Sequence, residues 1–411
     1  MRIGCRGLAA SFVAAVCMAL GGPALGNGKP GAEPLYVNAE SSTAAAAARL
    51  TGQDQLDALA LAKIPSGTWF TGGTPSEAQA GVATVVDRAA KANAVPLLVA
   101  YNIPFRDCAL YSAGGAKDKA AYLDWIKAFA AGIGPNRAIV ALEPDSLGVV
   151  PWNQDINGKL EGCQPAGLPR ATAAADRFEL IGQAVDILAA LPNVQIYLDG
   201  TGSSWLSPGD AVSRLIKANV AKANGYFLNV SNYESLDRVT KYAHWISDCY
   251  ALVTLKQFDP KACGGQYYPA NFADTASWAL TDQGYDKAFA DNGLKRDSGT
   301  QKHAIIDTSR NGRGSWAAPA GGYSDAQVWC NPPDRGLGPR PTLETGDPYV
   351  DGYLWIKVPG ESDGQCYRGT SGPLDPERKM AGPAAGQWFV EQVRELVKFA
   401  SPPFSVPKPA E

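Results

Sequence analysis

Short apolar runs, several of them β-branched, recur along the chain at 63–70, 95–103, 138–142, 194–198, 226–230, 304–306 and 353–356. Continuous apolar runs of this length mark strands covered on both faces. Between most of them the apolar positions repeat at helical spacing, over 77–93, 119–131, 171–190, 208–223 and 282–290. An alanine-rich helix from about 41 precedes the series and a helix over 386–399 closes it. Strands alternating with helices predict a parallel sheet of βα units. Seven or eight strands without a break in composition predict one α/β barrel rather than two domains. One stretch departs from the pattern: 245 to about 282 reads as a long loop holding Cys249, Cys263 and Trp278, and loops of that length are usually functional or disordered.

The residues that follow the strands carry the candidate chemistry. The run 138–142 stops at Glu143-Pro144-Asp145, since proline cannot continue a central ladder. Asp145 therefore lies at a strand's carboxyl end, the edge where α/β folds keep their reactive groups. A single Asp there is as readily a helix cap. However, the second run contains Tyr101 and Asn102 and leads into Arg106 and Asp107, and Asp199 follows the fourth. The fifth contains Asn229 and leads to Asn232, Asp307 follows the sixth, and Lys357, Glu361 and Asp363 follow the last. Six strands ending alike make capping a strained account of them all.

Composition narrows the chemistry. The net charge of −3 and the absence of a basic stripe argue against nucleic acid. Two histidines and no GxSxG elbow argue against a serine hydrolase. His244 is expected in a loop and His303 at a strand's start, each a surface or satisfied core residue. No CxxC, EF-hand or P-loop spacing is present, so neither metal nor cofactor is called for. Ten tryptophans and sixteen tyrosines suit ligands with flat apolar faces and many hydroxyls, sugars above all, although such residues also fill cores. Paired carboxylates beside aromatics fit glycoside hydrolysis best: one protonated acid for the leaving oxygen and one ionised group for the water or the cation.

Residues 1–26 carry Arg2 and Arg6, then an apolar run, then Ala24-Leu25-Gly26, the pattern of a secretory signal peptide. The mature chain 27–411 is then exported, to the periplasm or beyond, with no segment apolar for long enough to span a membrane. Six cysteines remain: Cys108, Cys163, Cys249, Cys263, Cys330 and Cys366. An even number in an exported chain argues for disulfides, with fifteen possible pairings. Pairing nearest neighbours in sequence gives 108–163, 249–263 and 330–366.

The motifs Tyr101–Cys108, Glu143-Pro-Asp-Ser-Leu147, Tyr197-Leu-Asp199, Asn229-Val-Ser-Asn232, Ile306–Gly312, Trp329-Cys-Asn-Pro332 and Trp355–Gly364 stand in order over nearly the whole mature chain. In this order they resemble glycoside hydrolase family 6, a family of endoglucanases and cellobiohydrolases. The resemblance implies a distorted seven-stranded parallel β/α barrel as a single catalytic domain. It also implies inverting hydrolysis of β-1,4-glucan by a monomer. By position, Asp145 would be the general acid, with Asp107 beside it raising its pKa by like charge. Asp363 is the base candidate, and a water relay through Ser112 and Asp107 is the rival. Tyr101 would press on the sugar at the scission point. Trp69, Trp205 and Trp329 match sugar-stacking positions. Asn232, Lys357 and Glu361 match hydrogen-bonding ones. Arg106, which would orient the carboxylates, Asp199 and Asp307 have supporting parts.

Trp125 and Trp388 are expected inside helices as core, and Trp152, Trp278 and Trp316 in loops that could extend the cleft. The sequence departs from the family at Gly202, where histidine is common, and in the insert around Cys249–Cys263. A short Asp363-Gly-Gln-Cys366 favours an open cleft and internal cleavage. The competing readings are an exo-acting cellobiohydrolase, a secreted glucan-binding protein without chemistry, and a metal-dependent esterase or phosphohydrolase.

Overall fold

The computed structural model describes Met1 and residues 34–407, so the expected signal peptide lies, Met1 apart, outside the described residues. Seven parallel strands run in sequence order: β1 (Thr68–Phe70), β2 (Leu97–Ala100), β3 (Ala138–Leu142), β4 (Val194–Asp199), β5 (Gly225–Leu228), β6 (His303–Asp307) and β7 (Val350–Leu354). Each is hydrogen-bonded to the next, and a register shift interrupts β6–β7 at Ala304/Ile305. The barrel is distorted at its seam. No ladder joins β1 to β7. The Gly67 N–H instead donates to the Trp355 carbonyl at 2.8 Å, and the Trp69 indole N–H to the Ile356 carbonyl at 2.8 Å. Only glycine permits that approach, because a Cβ at Gly67 would lie 2.3 Å from the Ile356 oxygen.

Helices α1 (Ser42–Ala47) and α2 (Gly52–Leu61) precede β1. The outer layer continues with α3 (Pro75–Lys91), α4 (Lys119–Ile133), α5 (Ala173–Ala189), α6 (Pro208–Lys217), α7 (Leu236–Lys256), α8 (Ala279–Asp291) and α9 (Val390–Lys398). At α1, α3, α4 and α6 a side chain accepts an otherwise orphaned first-turn N–H group. Thr74 and Glu77 make a reciprocal capping box at α3, with Pro75 pre-set for the first turn. Asp118 caps α4 and Ser207 caps α6.

Because strand side chains alternate, the sheet feeds two cores. Leu98, Val140, Leu142, Ile196 and Ile306 face the helices, against Val82, Trp125, Phe129, Ile181 and Ile246. Val99, Tyr101, Ile139, Ala141, Tyr197, Phe227, Ile305, Leu354 and Ile356 fill the barrel. His303, first residue of β6 and buried, lies 2.8 Å from Asp351 and 2.7 Å from the Ser298 carbonyl, a satisfied core histidine.

Three expectations are corrected. The stretch from 245 is not a loop: α7 runs through it to Lys256, so His244, Trp245 and Cys249 are helical, and His244 meets Asp347 at 2.8 Å. The irregular insert is 257–278, starting where Gln257 takes a left-handed φ of 56°. Trp278 does not extend a cleft, since it is fully buried against Trp245. Trp388 precedes α9 rather than lying within it, and packs on the buried cluster of Trp355 and Val393. The three disulfides are Cys108–Cys163, Cys249–Cys263 and Cys330–Cys366, the nearest-neighbour pairing.

Candidate active site

The carboxyl ends of the strands open into a groove of about 450 Å³. Ten of the predicted residues line it: Trp69, Tyr101, Asp107, Ser112, Asp145, Trp205, Asn232, Trp329, Lys357 and Asp363. Glu361, Arg106, Asp199 and Asp307 do not.

Asp145 leaves β3 by a sharp turn in which Glu143 (φ 55°) and Asp145 (φ 65°) both adopt left-handed backbone. Such conformations are held only where the surroundings over-determine them. Here the Glu143 carboxylate accepts from the Asn102 and Ile103 N–H groups at 2.9–3.0 Å, tying the β3 turn to the end of β2. Burial pushes its pKa up to about 7. On the far side the Asp199 carboxylate accepts from the Leu147 and Gly148 N–H groups at 3.1 and 3.2 Å. Burial raises it to about 6. The two flanking acids therefore fix where Asp145 points.

Asp145 itself is half-buried and takes the Tyr101 hydroxyl at 3.3 Å. Burial first, then the charges of Asp107 and Asp199, hold its carboxyl well above the usual range. Asp107 accepts from the Ser112 N–H at 2.8 Å, and burial raises its pKa as well. Tyr101 is buried beneath, edge-on to Trp69 at 5.2 Å.

The opposite wall has the reverse electrostatics. Both oxygens of Asp363 accept from Arg310, at 2.9 Å each. One also takes the Tyr233 hydroxyl at 3.0 Å and the Asn331 N–H at 3.0 Å, and the Lys357 ammonium lies 3.7 Å from the other. Burial alone would raise this carboxyl, but Arg310 and then Lys357 outweigh it and hold the pKa below the ordinary value. Asp307 steadies the same wall by accepting from the Ser231, Ser309 and Lys357 N–H groups. A groove in which one carboxyl is shifted toward its protonated form and another toward its ionised form can donate a proton on one side and keep a negative charge on the other.

Four placements differ from the sequence reading. Arg106 does not grip a carboxylate; its guanidinium donates to the carbonyls of Thr71, Tyr101, Ser112 and Ala113, bracing the loop that bears Asp107. Glu361 turns out of the groove and accepts from the Ser42 hydroxyl at 2.5 Å. Trp152 donates to the Pro165 carbonyl and Trp316 lies beneath Arg368, both away from the groove lining. The sequence reading gave no role to Arg310, Tyr233 or Asn331, although Arg310 follows Asp307 and Asn331 follows Trp329 in the motifs quoted above.

A family profile described as "Glycosyl hydrolases family 6" matches residues 31–400. The chain belongs to this family. "Endoglucanase 1" of Streptomyces halstedii is 32% identical over 372 residues, covering 88% of this chain and 88% of that protein. "Endoglucanase A" of Thermobispora bispora is 31% identical over 349 residues, covering 84% of this chain but 60% of its own length. The endoglucanase Cel6 of Mycobacterium tuberculosis, solved with methyl-cellobiosyl-4-deoxy-4-thio-β-D-cellobioside, is 30% identical with a TM-score of 0.65. The match covers 89% of this chain and 97% of that one. Family 6 relatives named cellobiohydrolase match at 29% identity.

Proposed function

We propose that this family 6 protein is an exported, monomeric, inverting β-1,4-glucanase that cuts internal bonds of cellulose or related β-glucans. The observation that carries the reading is Asp145. Its carboxyl is held protonated in an aromatic groove, across from the ionised Asp363. Asp145 gives its proton to the glycosidic oxygen as the C1–O bond breaks, and water attacks C1 from the other face.

The water must lose a proton. Asp363 accepts four hydrogen bonds, two of them from Arg310, and its pKa is depressed, which makes it a weak base. The relay through Ser112 to Asp107 is therefore the better route. Asp107 is then the final acceptor, and solvent returns the proton to Asp145. Internal cleavage is supported by the groove's rim, where Leu110 is 53%, Val328 45% and Trp205 37% exposed. Export through the signal peptide is supported by the three disulfides.

Soluble carboxymethyl cellulose is the test substrate. A steep early fall in viscosity with few reducing ends is expected, and NMR of the first product should show the α-anomer. Asp145→Asn should lower kcat by about 10²–10⁴-fold with glucan binding kept. Near-normal turnover in that variant, or a β-anomeric first product, would overturn the reading.

A further inference from the structure

The groove does not end at Trp205. A second hollow of about 710 Å³ lies beyond it and shares Leu110, Val149 and Trp205 with the catalytic groove. The two hollows adjoin at these residues, with Trp205 lining both. One wall of the second hollow is the segment ending at Cys163, which the disulfide to Cys108 fastens to the loop bearing Asp107. The other wall includes Tyr267, from the insert 257–278 that the family resemblance left without a role.

The insert is anchored at several points. Cys263 is bonded to Cys249 in α7, and the Gln266 amide donates to the Leu206 carbonyl at 2.9 Å. Thr281 and Tyr285 in α8 donate to the carbonyls of Gly265 and Gly264, each at 2.9 Å. On this base Tyr267 is fixed at both ends. Its hydroxyl donates to the Trp205 carbonyl at 3.2 Å, and its ring stacks on Phe272 at 5.5 Å, which in turn lies under Arg238. Yet Tyr267 remains 47% exposed. A ring braced from behind and left open to a trough has lost its freedom without gaining full burial, and an apolar face presented this way suits a pyranose ring. Asn157 and Lys159 in the same hollow supply partners for sugar hydroxyls.

We infer that Tyr267 is the platform of a further β-1,4-glucan subsite on the Trp205 side of the scission point, built from the insert. The inference rests on the glucanase reading above. Wild type, Tyr267→Ala and Tyr267→Phe are compared on cellohexaose and cellotriose, by kcat/KM and by the binding constant from tryptophan fluorescence. Tyr267→Ala is expected to weaken binding and lower kcat/KM for cellohexaose about 2- to 10-fold. Cellotriose values should stay unchanged, and Tyr267→Phe, which keeps the ring, should stay close to wild type. An equal fall on both lengths, or no fall on either, overturns the subsite while leaving the glucanase reading intact. Wild type that neither binds nor cleaves either oligosaccharide overturns both.

Discussion

Replacing Arg310 with methionine removes a charge and little volume from the wall behind Asp363. Arg310 is inaccessible to solvent and the Asp363 side chain is 5% exposed. The variant loses two charge-assisted bonds of 2.9 Å, while the Lys357 ammonium at 3.7 Å, the Tyr233 hydroxyl and the Asn331 N–H remain. An opposite charge at this range is worth about 4 kcal/mol at an effective dielectric near 20. Removing one partner of a buried pair costs about 3–5 kcal/mol. Unfolding entropy of about 2.1 cal/mol/K per residue over about 370 residues gives about 0.8 kcal/mol/K, so Tm should fall about 4–6 °C near pH 7.

The pH dependence of that loss has a definite sign. In wild type the folded pKa of Asp363 is depressed, so its contribution is present above the unfolded value of about 3.9 and is lost only as pH falls through the lower folded value. Without Arg310 burial dominates and the folded pKa rises. The variant is then penalised while Asp363 is ionised and relieved as pH falls and it takes a proton. Thermal unfolding followed by circular dichroism from pH 4 to pH 8 should show the gap widest near neutrality and narrowing toward pH 4. A gap of constant size, or none, would refute the claim that Arg310 keeps this carboxylate charged.

Two further outcomes follow from the opposite wall. In Asp107→Asn the negative charge beside Asp145 is gone, so the alkaline limb of the residual kcat–pH profile should move down by about one pH unit or more. Burial, the larger cause, still keeps Asp145 above an ordinary carboxylate; a limb that does not move contradicts the like-charge account. In Gly148→Ala the new Cβ would lie 2.4 Å from the Trp205 ring, which must shift. About 1–3 kcal/mol of stability should be lost, together with a raised KM on long glucans, whereas unchanged Tm and KM would mean the indole is not seated there.

The strand ends were the legible part of the molecule. The run 138–142 was read with its true bounds because apolar residues stop abruptly at a proline. A parallel barrel then obliges every following carboxylate to share one rim. Helix α7 was missed although Val239, Tyr242, Ile246, Cys249 and Val253 keep helical spacing. Its β-branched and aromatic residues are poor helix formers, and the cysteines at 249 and 263 suggest a loop across its end. The pairing of Arg310 with Asp363 joins residues 53 positions apart, and no local rule connects them. Arg106 was read beside its neighbour Asp107, but the left-handed φ of 55° at Asp107 turns the two side chains to different tasks.

The seam between the first and last strands has a consequence for the bound polymer. One of its clasps is the indole of Trp69, reaching a carbonyl 287 positions along the chain, and the same ring lines the groove. A glucose unit resting on Trp69 would press on the joint where the cylinder is least tightly stitched. A chain lying across the groove would act as a hoop, drawing the first and last strands together for as long as it stays.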